Sequence, residues 1–262
     1  MPVHIRAQRG EIAEDVVMSG DPERVRQLSS LLNSSRLVNA HRSYVTYTGE
    51  YRGHPVTLVA HGIGGPSISI VFEELRELGA RRFVRFGTTG ALLEDMEIGD
   101  AVVATGASYS PGGVMHEISD GLVISPSPDL ELTYRLYKAL KDGGVRTFLG
   151  QVFSKNAFYT LESALEVYKK YGIVSLEMEC STLLSLSQMS GVSAACVLMV
   201  SDSVVKKTKM YTADELKEFA LRIGRIVLDV LSTYYTSIPK LSANFENFSY
   251  SFRNLMPFSV II

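Results

Sequence analysis

Short apolar runs alternate with stretches of helical periodicity along most of the chain. The runs are nearly continuous, which is typical of strands covered on both faces. They lie at residues 16–19, 56–61, 83–86, 101–105 and 195–200. Residues 44–51 alternate instead and are rich in Tyr and Thr, a pattern that predicts a solvated antiparallel strand.

Helix start and stop signals separate these runs. Asp21-Pro22 is an N-cap followed by proline at the first helical position, and it predicts a helix to about Leu32. A second helix is predicted over 67–78, where Gly79 ends it. Thr212-x-x-Glu215 has the spacing of a capping box. The long helix that it opens has one apolar face, formed by Leu216, Phe219, Ala220, Ile223, Val227, Val230 and Leu231.

This alternation predicts an α/β fold: a single domain with a mixed, largely parallel central sheet flanked by helices. We place the domain at residues 1–235. Residues 236–262 have no periodicity of either kind. They are predicted to form a C-terminal extension, which is either packed on a partner or disordered.

Composition and charge exclude several classes of protein. The chain has 262 residues, 46% of them hydrophobic, and a net charge of −2, which is typical of a globular protein and argues against nucleic acid as a partner. The longest uncharged run, residues 180–201, is rich in Ser and is predicted to be buried core rather than a membrane span. Residues 1–10 lack the apolar segment of a signal peptide. The two cysteines, Cys180 and Cys196, indicate a reducing compartment, so we expect a cytoplasmic protein.

Several common catalytic motifs are missing from the sequence. The histidines are scattered, with no HExxH or CxxC pattern for a metal. The glycine-rich stretch 62–67 has Ser67 where a dinucleotide fingerprint has its third glycine. There is no Walker A lysine and no G-x-S-x-G elbow. Hydride transfer, P-loop hydrolysis and serine hydrolase chemistry are therefore poorly supported.

Polar residues follow the predicted strands, where an open α/β sheet binds its ligands. Gly20 lets a ligand approach the backbone, and Arg24 in the first helical turn is favourable only if an anion is bound nearby. The alternative is a plain strand-turn-helix with a surface arginine. Arg85 lies in an apolar strand before the predicted turn 87–90, and together they form a possible phosphate cradle. The alternative there is a buried structural ion pair.

Two further groups of polar residues carry carboxylates. Glu177 and Glu179 stand beside the uncharged run, where a buried Glu can accept both hydroxyls of a ribose; the alternative is a pair of acids at a helix N-terminus. Ser201-Asp202 follows another apolar strand, where a buried carboxyl can act as a general acid; the alternative is an N-cap. Together the four groups suggest a phosphate and a sugar bound in one cleft.

The same segments resemble the trimeric and hexameric nucleoside phosphorylases, a family that includes bacterial-type purine nucleoside phosphorylases, uridine phosphorylases and archaeal-type methylthioadenosine phosphorylases. The resemblance covers about residues 4–235. The matching stretches follow in order: 20–24, 41–42 with 47–49, 61–67, 85–91, 158–159, 177–179 and 200–202.

The resemblance implies phosphorolysis of a nucleoside to free base and ribose 1-phosphate, with Arg85 and Asp202 as catalytic residues. It implies no metal and no organic cofactor; inorganic phosphate is the co-substrate. It also implies a homo-oligomer, usually a hexamer built as a trimer of dimers with shared active sites. The implied phosphate ligands are Gly20, Arg24, Arg85, Thr88 and a neighbour's Arg42. The implied nucleoside ligands are Glu179 and Met178 at the ribose, a neighbour's His4 near its 5′ position, and Phe158, Ser201 and Asp202 at the base.

Two features distinguish the possible bases. Uridine phosphorylases have a Gln and an Arg shortly after the Phe-Tyr pair, and residues 158–164 contain neither. In the purine enzymes an Asp equivalent to Asp202 protonates N7 of the leaving base, so Asp202 favours purine nucleosides, a class that includes 5′-methylthioadenosine. Leu216 stands where bacterial purine enzymes place an Arg beside this Asp; Lys206 or Lys207 is a possible substitute. Glu162 is a possible partner for a 6-amino or N1 position.

Three other functions stay open at this point. One is a uridine phosphorylase. Another is a nucleoside hydrolase of the same fold, although hydrolases lack the phosphate arginines. The last is a nucleoside-binding protein without catalysis, which would not need Asp202.

Overall fold

One mixed sheet organises the part of the chain that the computed structural model describes, residues 2–159 and 165–234. Within this part the sheet has nine strands, in the order β2-β3-β4-β1-β5-β8-β7-β6-β9. The strands are β1 (Asp15–Ser19), β2 (Asn33–Asn39), β3 (Thr46–Tyr51), β4 (His54–Ala60), β5 (Arg82–Ala91), β6 (Ala101–Tyr109), β7 (Thr147–Ser154), β8 (Ile173–Glu177) and β9 (Ser193–Ser203).

Helices pack on both faces of this sheet, as the near-continuous apolar strands predict. One buried cluster joins the sheet to α1, α4 and α7, and a second joins it to α2 and α6. The helices of the described chain are α1 (Pro22–Ser29), α2 (Gly65–Leu78), α3 (Gly113–Ser119), α4 (Leu130–Asp142), α5 (Leu165–Lys170), α6 (Cys180–Ser190) and α7 (Lys217–Tyr234). The predicted α/β architecture is confirmed.

Strand β5 belongs to two substructures at once. It pairs in parallel with β1 on one side and with β9 on the other, and its last residues pair with β8. Because β8, β7, β6 and β9 are also paired in succession, β5 closes a ring of five strands at the edge of the open sheet. Among the described strands, five of the nine pairings are parallel, which confirms a mixed and largely parallel sheet.

The predicted helix ends lie within a few residues of the observed ones. The Asp21 side chain accepts the backbone N–H of Glu23, and Pro22 begins α1. The helix ends at Ser29 rather than near Leu32, because residues 30–32 form tighter turns with i→i+3 bonds. Gly79 ends α2 with a φ of +122°, as expected.

The predicted capping box is formed, but it does not open a regular helix. The backbone N–H of Glu215 donates to the Thr212 hydroxyl, and the Glu215 carboxylate accepts the backbone N–H of Thr212. Residues 213–216 form turns, so α7 begins only at Lys217. Phe219 is 40% exposed and packs over Gly99, so its place on the predicted core face is wrong.

The predicted Gly-Thr-Thr-Gly turn is also wrong, because residues 87–90 continue β5. They pair in parallel with residues 198–202 of β9, and the register shifts between Thr89 and Gly90. Ser201 and Asp202 therefore lie inside β9 rather than after it.

The uncharged run 180–201 is core, as predicted: it forms most of α6 and β9, and most of its side chains are buried. Among the helices of the described residues, none is both long enough and apolar enough to cross a bilayer. Glu162 and the predicted extension 236–262 lie outside the described residues.

A buried carboxylate at the start of β1 provides a test of the sheet. Asp15 is 1% exposed, forms a 2.5 Å ion pair with Arg82 of β5, and lies 2.5 Å from the ring of His54 on β4. We expect Asp15→Ala to lower the free energy of unfolding by about 3–5 kcal/mol, because the buried Arg82 would lose this carboxylate and the His54 ring would lose a hydrogen-bond partner.

Urea unfolding measures this change. The matched control is Asp142→Ala, which breaks an exposed pair with Lys138 and should leave the unfolding midpoint unchanged. Equal midpoints for the two variants would show that Asp15 does not join these strands.

Candidate active site

Three neighbouring parallel strands bring the predicted residues to one edge of the sheet. Strand β1 pairs with β4 up to Ser19 and Ala60, and it also pairs with β5, where Met18 lies opposite Arg85. The backbone N–H of His61 donates to the carbonyl of Ser19 and extends the first pairing by one residue. The segments after β1 and β4 therefore meet beside Arg85.

Arg24 is buried in this edge rather than exposed on the surface. Only 5% of the residue is exposed, and its Nη1 donates to the Ser19 hydroxyl at 3.0 Å. The pKa of Arg24 is lowered to about 10, mainly by burial; Asp21 opposes this effect, and the positive charge of Arg85 adds to it. The side chain thus stays cationic at neutral pH. Its Nε has no hydrogen-bond partner among the described residues, so a donor is left for a ligand.

Arg85 and Glu179 form a buried ion pair at the centre of the site. Arg85 Nη2 donates to Glu179 Oε2 and lies 3.4 Å from Glu177 Oε2. Burial by itself lowers the pKa of Arg85, but the negative charges around it, Glu179 foremost, together outweigh this effect and raise that pKa. Burial likewise raises the pKa of Glu179, but Arg85 and the hydrogen bond from the Gly64 backbone are among several groups that together lower it. Both groups are therefore charged, as the ion-pair alternative required.

The ion pair leaves part of the Arg85 guanidinium unused. Its Nε and Nη1 are buried and make no hydrogen bond to any residue in 2–159 or 165–234. Buried donors of this kind are rare in folded proteins and call for a partner. The geometry is compatible with both interpretations of Arg85: it holds Glu179 with one nitrogen and offers the others to an anion.

Gly87 provides the room that this guanidinium occupies. A Cβ at position 87 would lie 2.1 Å from Arg85 Nη1, so a side chain there would displace it. The glycine is therefore needed for close approach and not for a turn.

The two predicted glutamates have different partners. Glu177 Oε2 accepts the backbone N–H groups of Glu179 and Cys180 at 2.7 and 2.8 Å, and the Ser154 hydroxyl donates to its Oε1. This is the helix-terminus alternative, because these groups begin α6. Glu179 instead turns into the site, where its Oε1 accepts the backbone N–H of Gly64 at 2.6 Å. Only Glu179 is thus placed to meet a ligand.

Asp202 lies at the other end of the same edge. The Ser201 hydroxyl donates to Asp202 Oδ1 at 2.8 Å, and a Cβ at Gly90 would lie 3.0 Å from Asp202 Oδ2. Burial raises the pKa of Asp202, and the Ser201 bond lowers it by less. A carboxyl with a raised pKa keeps more of its proton near neutral pH, as a general acid needs.

The two threonines of β5 differ in availability. The Thr89 hydroxyl donates to the carbonyl of Leu176 and is buried. Thr88 is partly exposed, and its hydroxyl makes no hydrogen bond in the part of the chain described. Thr88 therefore remains the candidate ligand.

The segments that hold His4 and Arg42 contact each other at His41. His4 Nδ1 is 2.8 Å from Glu74 Oε1, and the His4 carbonyl lies 3.4 Å from the ring of His41, the residue before Arg42. Arg42 is exposed and has a φ of +52°, a left-handed conformation that is unfavourable for arginine. No hydrogen bond or ion pair within 2–159 and 165–234 joins either side chain to Arg24 or Arg85.

The remaining candidates are less fixed. Met178 is half-buried, and Phe158 is 55% exposed. Lys206 Nζ donates to the Met96 carbonyl and to Glu97, so it is held by the segment after β5 rather than by Asp202. Leu216 is buried in the core.

Sequence reasoning missed one residue of this site, His61. It is fully buried, and burial lowers its pKa to about 3 despite the opposing charge of Glu179. No local signature marked it: the sequence shows only a histidine between β4 and the glycine-rich stretch 62–67.

Comparison with known proteins agrees with this arrangement. Residues 14–234 match the model of the phosphorylase superfamily. A uridine phosphorylase from Thermococcus kodakarensis is 35% identical over 215 residues, 76% of each chain. A DeoD-type purine nucleoside phosphorylase from Bacillus subtilis is 35% identical over 208 residues, 78% of this chain and 88% of its own. Another, from Oceanobacillus iheyensis, is 33% identical over 235 residues, 88% of this chain and 99% of its own.

The close packing of Gly87 on Arg85 provides a test of the site. We expect Gly87→Ala to weaken the binding of inorganic phosphate at least about tenfold, because the added methyl group displaces a charged hydrogen-bond donor. Isothermal titration calorimetry with phosphate alone measures it.

The matched control is Gly106→Ala in β6, where the nearest atoms to an added Cβ are 3.5 Å away. That variant should bind phosphate like the unmodified protein. Unchanged affinity in Gly87→Ala would remove Arg85 from the anion site.

Proposed function

Because the chain belongs to the phosphorylase superfamily, we propose that it is a nucleoside phosphorylase that cleaves purine nucleosides, a class that includes 5′-methylthioadenosine, to free base and ribose 1-phosphate. The family resemblance found in the sequence is confirmed. The observation that carries the proposal is the pair of buried arginines, Arg24 and Arg85, which have unpaired donors at one edge of the sheet.

Phosphate is the ligand that fits these donors. Its oxygens accept several hydrogen bonds each, and two buried cations offset its charge. Gly20 stands beside them. A Cβ at this position would lie 3.0 Å from the Gly62 carbonyl, so a side chain there would crowd the backbone that lines the site. We assign phosphate to Gly20, Arg24, Arg85 and Thr88.

The reaction then follows from the position of the charges. As the C1′–N9 bond breaks, its electron pair goes to the base and the ribose gains oxocarbenium character. A phosphate oxygen held below the sugar stabilises that charge and forms the new C1′–O bond. The protein contributes mainly orientation and a fixed electrostatic field.

Glu179 is assigned to the ribose hydroxyls. A carboxylate is the natural acceptor for a vicinal diol, and Glu179 points into the site while Glu177 is held at α6. Met178 is assigned to the apolar face of the same sugar.

Asp202 is assigned to the departing base, together with Ser201 and Phe158. Its raised pKa supports donation of a proton to N7, which lets the purine leave as a neutral molecule. Phe158 is exposed enough to stack on the base. Glu162, outside the described residues, is kept as a further contact at the purine edge.

Uridine cleavage is the second candidate, because a uridine phosphorylase is among the similar proteins. Asp202 argues against it, since a pyrimidine has no N7 to protonate. Hydrolysis by water is disfavoured by the burial of two arginines, which a hydrolase would not need.

We also propose that the active site is shared between subunits of a homo-oligomer, a hexamer built from dimers. Arg42 is exposed and directly follows His41, whose ring lies 3.4 Å from the His4 carbonyl, and the unfavourable backbone of Arg42 is a form of strain often found at functional positions. A cytoplasmic location is favoured by the two buried free cysteines.

The function is tested first by base release from inosine, adenosine, 5′-methylthioadenosine and uridine, each with and without inorganic phosphate. We expect purine release that depends on phosphate, and ribose 1-phosphate as the second product. Release of uracil alone would make this a uridine phosphorylase. Equal rates without phosphate would make it a hydrolase.

Asp202 is tested by Asp202→Asn. We expect kcat/KM for purine nucleosides to fall about 10²-fold or more, because the amide cannot donate the N7 proton in the same way, while slow uridine cleavage changes far less. The control is Asp142→Asn, which removes a surface carboxylate. An equal loss on both bases would refute the N7 role.

A further inference from the structure

The site contains a buried imidazole to which none of these steps gives a role. His61 is 0% exposed, and neither ring nitrogen has a hydrogen-bond partner of ordinary geometry within residues 2–159 and 165–234. Buried polar groups are almost always paired in folded proteins, so an imidazole with two unpaired nitrogens calls for a partner.

The backbone fixes where this ring can lie. The His61 N–H donates to the Ser19 carbonyl at 2.8 Å, and the His61 carbonyl accepts the Ser67 hydroxyl at 2.5 Å. Tyr44 in turn bonds the Ser67 hydroxyl at 3.1 Å, and Gly62 takes a φ of +74° that suits glycine. The ring position is therefore set by the turn between β4 and α2.

The ring lies among the groups assigned to phosphate. Its Cε1 is 3.6 Å from the position that a Cβ on Gly20 would take. Arg85, Arg24 and Glu179 are all close enough for their charges to act on it. Together the unpaired atoms are Arg24 Nε, Arg85 Nε, Arg85 Nη1 and both His61 nitrogens.

This set selects the chemistry of the ligand. The arginine nitrogens can only donate, and a neutral imidazole always offers one N–H. A cation or a further donor would be repelled by the two arginines. An oxyanion with several acceptor atoms satisfies the donors on all three side chains.

We propose that His61 is a further side chain of the phosphate site, donating a ring N–H to a phosphate oxygen. The assignment rests on the proposed function for the identity of the anion. It makes His61 a binding residue: the ring stays neutral, and the other nitrogen is free to accept from water or from the ligand. The imidazole then adds a neutral donor to the two buried arginines of this chain without adding a further buried charge.

His61→Leu replaces the imidazole with an apolar side chain of comparable length and so removes the N–H donor. We expect KM for phosphate to rise at least about tenfold, as for a lost hydrogen bond to a charged group. KM for the nucleoside should change by less than about threefold. His61→Gln, which restores an N–H donor, should recover part of the loss. The control is His116→Gln at an exposed position of α3.

Two measurements do not depend on turnover. Calorimetry with inorganic phosphate alone should show the same loss of affinity in His61→Leu and its partial recovery in His61→Gln. In the unmodified protein labelled with 15N-histidine, phosphate should shift one ring resonance, and that resonance should be missing from His61→Gln. This second measurement needs no folded Leu variant.

The outcomes separate this inference from the proposed function. Phosphate binding that depends on His61, in a protein that releases base without phosphate, would support the inference and refute phosphorolysis. Phosphate-dependent turnover with an unchanged phosphate KM in His61→Leu, or no change in any histidine resonance on phosphate addition, would overturn the inference alone. A parallel rise in the KM values for phosphate and for the nucleoside, together with lower thermal stability, would assign His61 a structural role only.

Discussion

The buried ion pair between Arg85 and Glu179 is the interaction on which the site depends. Two charges are taken out of water at the centre of the protein, which is costly for either alone and tolerable for the pair. Each group also keeps unused capacity: Arg85 has free donors, and Glu179 has lone pairs beyond the bonds to Arg85 and Gly64. The pair therefore holds the empty site together and still has atoms with which to bind. A phosphate beside Arg85 and a diol beside Glu179 extend the same chain of charges rather than disrupt it.

The sheet supplies the precision that this pair requires. Arg85 is fixed by β5, which pairs on both sides, and the groups around it come from the segments after β1 and β4 and from the junction of β8 and α6. Close approach is set by glycines at Gly20 and Gly87, where a methyl group would meet a carbonyl or the guanidinium itself. Side chains are thus positioned by paired backbone, which moves less than a surface loop.

Much of this arrangement could be predicted from local signals in the sequence. Asp21-Pro22 fixed the start of α1, and the rule that ligands bind beyond strand ends brought Gly20, Arg24 and Arg85 together. The prediction failed where the outcome depends on distant partners. Residues 87–90 have the composition of a turn, yet pairing with β9 makes them a strand. Glu177 and Glu179 look alike in sequence. Only the position of α6 shows that Glu177 caps this helix while Glu179 faces the site. His61 was missed because an isolated histidine after a strand has no local signature; its unpaired ring is visible only in three dimensions.

The closed ring of five strands has a consequence for how this protein can diversify. Strand β5 holds Arg85 in its first half, beside the open sheet, and Gly90 in its second half, inside the ring and against Asp202. The register shift between Thr89 and Gly90 divides the two. Substitutions at the last residues of β9, around Asp202, can therefore alter one end of the cleft, while Arg85 lies farther back on β5, opposite Cys196. This separation makes the strand a natural point for retargeting by directed evolution, with anion capture held constant and the recognised base allowed to vary.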